Sequence, residues 1–183
     1  MSLTSPLADP VLARRLAGVQ TLCLAVMTGL AGVAFGVSLV VGYALDWQPL
    51  AGNAVTVGGV SAATVVAAGL TLFVPPVAVA VGRWKRAAEL RAVAAAHPEI
   101  AGTEEEADRL MAAFAGATFA EYAVAAGTGI AWTVLFHLTS DWRTLVLVGA
   151  LLAFLVARYP TTRRTARWLE EGRAEVGRQR RPA

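Results

Sequence analysis

An all-α, polytopic membrane fold, with four transmembrane helices and both termini in the cytoplasm, is the architecture this sequence predicts. Three observations predict it. Four apolar stretches cover residues 17–45, 54–82, 110–138 and 143–159. Spanning a bilayer takes about 20 apolar residues, and the first three stretches exceed that. The fourth reaches membrane length when Arg143 and Arg158 extend outward from its ends. Of the 16 lysines and arginines, none lies in the segment 46–53 and only Arg143 lies in the segment 139–143; the other 15 lie before, between or after the pairs of stretches or, as Arg158, at the inner end of the fourth. That is the positive-inside asymmetry, with those two segments outside. Finally, 56% of residues are hydrophobic, and the stretches are apolar on all sides, unlike the one-sided helices of soluble domains.

Asp9-Pro10 provides an N-cap followed by a proline at the first helical position. The first helix should run from there to Leu45. Its apolar run is too long for a signal peptide and lacks a cleavage site. Tyr43 and Trp47 mark the outer interface, and Pro49, Gly52 and Asn53 form the outer turn. Span two should enter near Ala54 and leave at Arg83-Trp84-Lys85-Arg86. Residues 83–109 then make a cytoplasmic helical connector. Its alanine-rich first arm ends at His97-Pro98. Its second arm opens on a capping box, Thr103-Glu104-Glu105-Glu106, with Glu105 and Arg109 paired at i,i+4. Spans two and three therefore form a hairpin whose arms protrude into the cytoplasm. Residues 160–183 form a basic tail, in which Thr161 or Thr162 caps a last helix with Leu169, Gly172 and Val176 on one face. The whole chain, 1–183, reads as a single membrane domain.

The tail and its approach carry eight arginines against Glu170, Glu171 and Glu175. This surplus favours anionic lipid headgroups of the inner leaflet over nucleic acid, with Arg163, Arg164, Arg167 and Trp168 as the lipid-facing residues. Cys23, the single cysteine, reads as a small apolar residue of span one. Gly32-x-x-x-Gly36 suits the close approach of another helix, within the chain, in a homo-oligomer or from a membrane-complex partner. His137 and Asp141 lie four apart near the outer end of span three, and two ligands do not make a metal site. No triad order, phosphate loop or Cys/His cluster is present, so neither an enzyme nor a cofactor is expected.

Glu121 is the one ionisable residue deep within a stretch. Counted from Leu110, it lies about 16 Å along the helix. A charge there is costly, so the group should be neutral, paired or next to water. Pro75 and Pro76 kink span two and deprive the carbonyls of Thr71 and Leu72 of their helical donors. By count these carbonyls and Thr28 of span one share the depth of Glu121. Two roles follow: a lock on helix packing, or an ion site built from Glu121, Thr71, Leu72 and Thr28.

The segment Ala117-Thr118-Phe119-Ala120-Glu121, followed by Gly127 and an apolar run to Phe136, resembles the carboxylate-bearing helix of rotary ATP synthase c-subunits. The hairpin of spans two and three, with its loop in the cytoplasm, is similar too. The resemblance implies that Glu121 would bind a proton or sodium ion. On the residues themselves, the chain is expected to be a non-enzymatic structural, assembly or interaction component of a bacterial inner membrane. The alternative is a proton- or cation-handling membrane protein centred on Glu121.

Overall fold

The computed structural model describes residues 10–44, 56–57, 59–96 and 103–180. Asp9 and the outer turn with Trp47, Pro49, Gly52 and Asn53 lie outside the described residues. So does the helix end at His97-Pro98. The architecture is helical: α1 (Pro10–Ala31), a π-helical segment (Gly32–Val37), α2 (Ser38–Ala44), α3 (Ala62–Ala96), α4 (Glu104–Thr139), α5 (Arg143–Ala157) and α6 (Thr162–Gln179). Three stretches, Pro10–Val41, Ala62–Ala95 and Glu104–Thr139, are long and apolar enough to cross a membrane. The 15 residues of α5 fall below that length.

Span two does not begin as helix near Ala54. Residues Thr56–Val57 (β1) and Val60–Ser61 (β2) pair antiparallel, Val57 opposite Val60. Between the strands Gly59 takes φ +77°. Only glycine adopts that backbone without steric cost. The valines flanking Gly58-Gly59 favour strand over helix, so α3 starts at Ala62. It then continues through Pro75 and Pro76 without interruption.

The chain divides into two compact units, and α1, α3 and α4 each contribute to both. The first unit takes residues 10–23 of α1, 79–96 of α3, 104–121 of α4, and α6. Its core is Leu90 and Val93 of α3, Leu110 of α4, and Leu169 and Val176 of α6. Leu110, Ala113, Phe114 and Ala117 are buried at helical spacing, whereas Ala112 is exposed. The start of the third apolar stretch is thus one face of a helical bundle, which Leu110 opens as a core residue.

Thr161 initiates α6: its hydroxyl accepts from the Arg164 N–H at 3.4 Å, satisfying one of the unpaired donors of the first turn. Pro160 just before it cannot continue α5, and its carbonyl accepts from Gln20 Nε2 at 2.8 Å. Thr165, Leu169, Gly172 and Val176 are buried along one face. Burying a leucine or valine side chain contributes about 1.5–3 kcal/mol.

The second unit takes residues 24–44, 56–78 and 122–158 among those described. Tyr122, 2% exposed, donates its hydroxyl to the Leu155 carbonyl at 2.8 Å. That carbonyl lies in the last turn of α5 and also accepts from the Arg158 N–H at 3.2 Å. Trp132 Nε1 donates to Thr71 Oγ1 at 2.9 Å, and Thr71 Oγ1 donates to the Ala67 carbonyl at 2.7 Å. The π-helical segment contains both Gly32 and Gly36. A side chain added at either would meet nothing within 4 Å among the described residues, so these glycines seat no described helix. The buried Cys23, fully shielded, fills space as expected.

Candidate functional site

Glu121 lies in the part of α4 that pairs with the Gly82 end of α3, and its carboxylate group sits against Gly82. A Cβ added at Gly82 would lie 2.5 Å from Glu121 Cγ and 2.8 Å from Cδ. Real Cβ atoms do not approach that closely, so the missing side chain at 82 is what admits Glu121. Near Gly116, an added Cβ would meet Lys85 Cε at 3.6 Å. The Lys85 ammonium itself pairs with Glu89 at 2.8 Å.

Leu110, Ala113, Phe114 and Ala117 line the first unit's core, and Glu121 shares the level of Gly82. The basic run Arg83-Trp84-Lys85-Arg86 begins at the next residue of α3. The carboxylate's neighbour on span two is Gly82, eleven residues along α3 from Thr71. Thr71 is engaged by Trp132 and Ala67 as described. Leu72 is 77% exposed and Thr28 is exposed.

The second cluster fastens α6. Glu106 and Arg180 form an ion pair at 2.8 Å, with side chains only 7% and 14% exposed. Arg180 Nη2 also donates to the Val93 carbonyl at 3.3 Å. One arginine therefore ties the end of α6 to both α3 and α4. Arg180 is one of the tail's arginine surplus, but its charge is neutralised inside the bundle rather than displayed. The capping box forms in part as predicted: the Glu106 N–H donates to Thr103 Oγ1 at 3.4 Å, and Arg109 pairs with Glu105 at 2.6 Å. The Glu106 carboxylate meanwhile accepts from Arg180.

Trp168, expected at the lipid surface, is half-buried against this body. It meets Phe114 edge-on, 5.3 Å between ring centroids, and the Arg86 guanidinium stacks 4.8 Å from its ring centre. Leu169, Gly172 and Val176, the face expected on the inner leaflet, are buried against α3 and α4 for the same reason: two apolar helix arms cover them. Arg163, Arg164 and Arg167 remain exposed. Arg167 and Arg86 both bind Glu171, at 3.0 and 3.3 Å. The Arg167 hydrogen bond foremost, with help from Arg86, outweighs partial burial and holds the Glu171 carboxyl below its usual range.

A third cluster joins the hairpin to the start of α5. Asp141, with its side chain 8% exposed, accepts from the Ser61 N–H at 3.3 Å and the Arg143 N–H at 3.1 Å. Arg143 Nη1 lies 3.7 Å from the same carboxylate and 3.4 Å from the Gly59 carbonyl. Burial alone would raise the Asp141 carboxyl, but the Thr64 hydroxyl, the two backbone donors and the Arg143 charge together lower it. Sequence spacing offered His137 and Asp141 as an i,i+4 pair. Helix α4 ends at Thr139, and Ser140 takes a left-handed φ of +52°. Asp141 therefore turns to Ser61 and Arg143, and His137 Nε2 meets Ser38 Oγ at 3.4 Å. Among the described residues no three His, Cys, Asp or Glu side chains are grouped to hold a metal.

Sequence reasoning missed Gly82, Arg180 and Thr64. Only Gly82 left a signal, a glycine inside a helix next to a basic run. No family model, no curated protein and no solved structure matches this chain.

Proposed function

We propose that this chain is a four-span integral membrane protein of the bacterial inner-membrane type, with both termini in the cytoplasm. It acts without catalysis, as a structural, assembly or interaction component. One observation carries the reading: charge separates between the two units. Of the 16 basic and 13 acidic residues, the second unit holds only Arg143, Arg158, Asp46 and Asp141. Among the described residues these lie at or beyond helix ends. Segments 24–44, 62–78, 122–139 and 143–158 each run about 24–32 Å at 1.5 Å per residue. A hydrocarbon core is about 30 Å thick. The first unit carries all the other charges and is the cytoplasmic body, with Arg14, Arg83, Arg163 and Arg167 exposed on it. Those cations favour anionic headgroups and acidic protein surfaces alike. Glu121 at Gly82 supports a packing lock within that body.

Extraction from native membranes in mild detergent tests the role. The wild-type chain is expected in an assembly larger than one 19.1 kDa chain in its micelle. Replacing Arg163, Arg164 and Arg167 together by Glu should release it as a single chain. Elution of the wild type as a single chain would remove the interaction role.

A further inference from the structure

Arg143 breaks the charge asymmetry. It is the one cation placed with the segments that otherwise carry none, and it stands beside a cleft of about 360 Å³ in the second unit. That volume falls within the roughly 300–1,000 Å³ of small-molecule sites. The cleft walls are apolar, Val65 and Ala68 from α3 and Val146 and Leu147 from α5, with Trp142 and Arg143 at one end. Arg143 lies over the Trp142 ring, 5.7 Å from its centre. Thr64, 3% exposed, lies at the same cleft, and its hydroxyl faces the Asp141 carboxylate. We infer that this cleft is a phospholipid site, with the phosphate on Arg143 and an acyl chain along the valine and leucine walls.

The charge distribution agrees with this occupant. Asp141 holds the Arg143 guanidinium in place through Nη1, and the guanidinium has five N–H donors to distribute. The N-termini of α3 and α5, at Ala62 and Arg143, add two positive dipole ends, and the C-terminus of α4 at Thr139 adds one negative end. The Arg143 guanidinium is the group that pairs with a monoanionic phosphodiester. The indole of Trp142, 63% exposed, is the side chain found at headgroup level in membrane proteins. The inference rests on the second unit lying in a bilayer, which the apolar walls require in any case for an acyl chain to reach them.

The test reconstitutes the full chain in nanodiscs of mixed phosphatidylglycerol and phosphatidylcholine, then counts by native mass spectrometry the phospholipid that stays with the protein. One retained phospholipid per chain is expected for the wild type. Arg143→Gln, an exposed substitution, removes the phosphate partner and should cut retention about tenfold. Val146→Trp fills the cleft and should cut it at least as much. Arg158→Gln, away from the cleft, should retain lipid as the wild type does. Wild-type retention by either Arg143→Gln or Val146→Trp overturns the site. Retention does not depend on which side of the membrane Ser140 faces, so thiol labelling of Ser140→Cys separates a failed cleft from a failed topology.

Discussion

Glu106→Ala is expected to destabilise the first unit by about 3–5 kcal/mol, because it strands the Arg180 guanidinium inside the bundle. The pair is held at 2.8 Å with both side chains nearly shielded from solvent. Removing one partner leaves a desolvated charge, and the Val93 carbonyl at 3.3 Å is a neutral acceptor. Hydrogen exchange across residues 162–180 provides the readout. Protection there should fall at least about a hundredfold, as α6 opens from α3 and α4. The double variant Glu106→Leu with Arg180→Leu should recover most of the loss, because an apolar pair of similar volume has no charge to desolvate. Unchanged protection in Glu106→Ala would show that α6 is held by its leucine and valine face alone.

Gly82→Val should be the second large effect. Its Cβ would fall within 2.8 Å of Glu121 Cδ, and its two methyl groups add further overlap. The α3–α4 pairing must then open or Glu121 must leave its seat, at about 1–3 kcal/mol. Glu121→Ala in the same chain should relieve most of that cost. A double-mutant cycle on thermal unfolding in detergent should give a coupling of about 1–2 kcal/mol between the two positions. Glu121→Gln, which keeps shape and size, should unfold with the wild type. Strict additivity of Gly82→Val and Glu121→Ala would mean that the two residues do not share one space.

Much of this fold is written in the chain. The all-helical class, the unbroken α4 and the α6 cap at Thr161 follow from apolar run length, the capping box and Pro160. The bundle was the harder part. An apolar run reads alike whether lipid or neighbouring helices cover it. The i,i+3,i+4,i+7 spacing of Leu110, Ala113, Phe114 and Ala117 marks the face that packs in the first unit's core. The face Thr165, Leu169, Gly172 and Val176 was legible as amphipathic. Nothing in its own sequence distinguishes a lipid surface from the Leu90 and Val93 side of α3. Likewise Gly58-Gly59 between valines announced a tight turn, but it lay inside an apolar stretch whose length argued for helix. Glu121 stood out as an ionisable residue in an apolar run. Its neighbour, Gly82 of α3, follows from a pairing register that the sequence of one helix does not carry.

Thiol accessibility tests the central claim most directly. With Cys23 replaced, single cysteines are placed at Asn53, Ser140, Thr103 and Gly177, and an impermeant thiol reagent is applied to intact cells. Cysteines at Asn53 and Ser140 are expected to react, whereas those at Thr103 and Gly177 should react only after the membrane is opened. Labelling of Thr103 or Gly177 from outside intact cells would contradict the cytoplasmic placement of the first unit and, with it, the four-span arrangement.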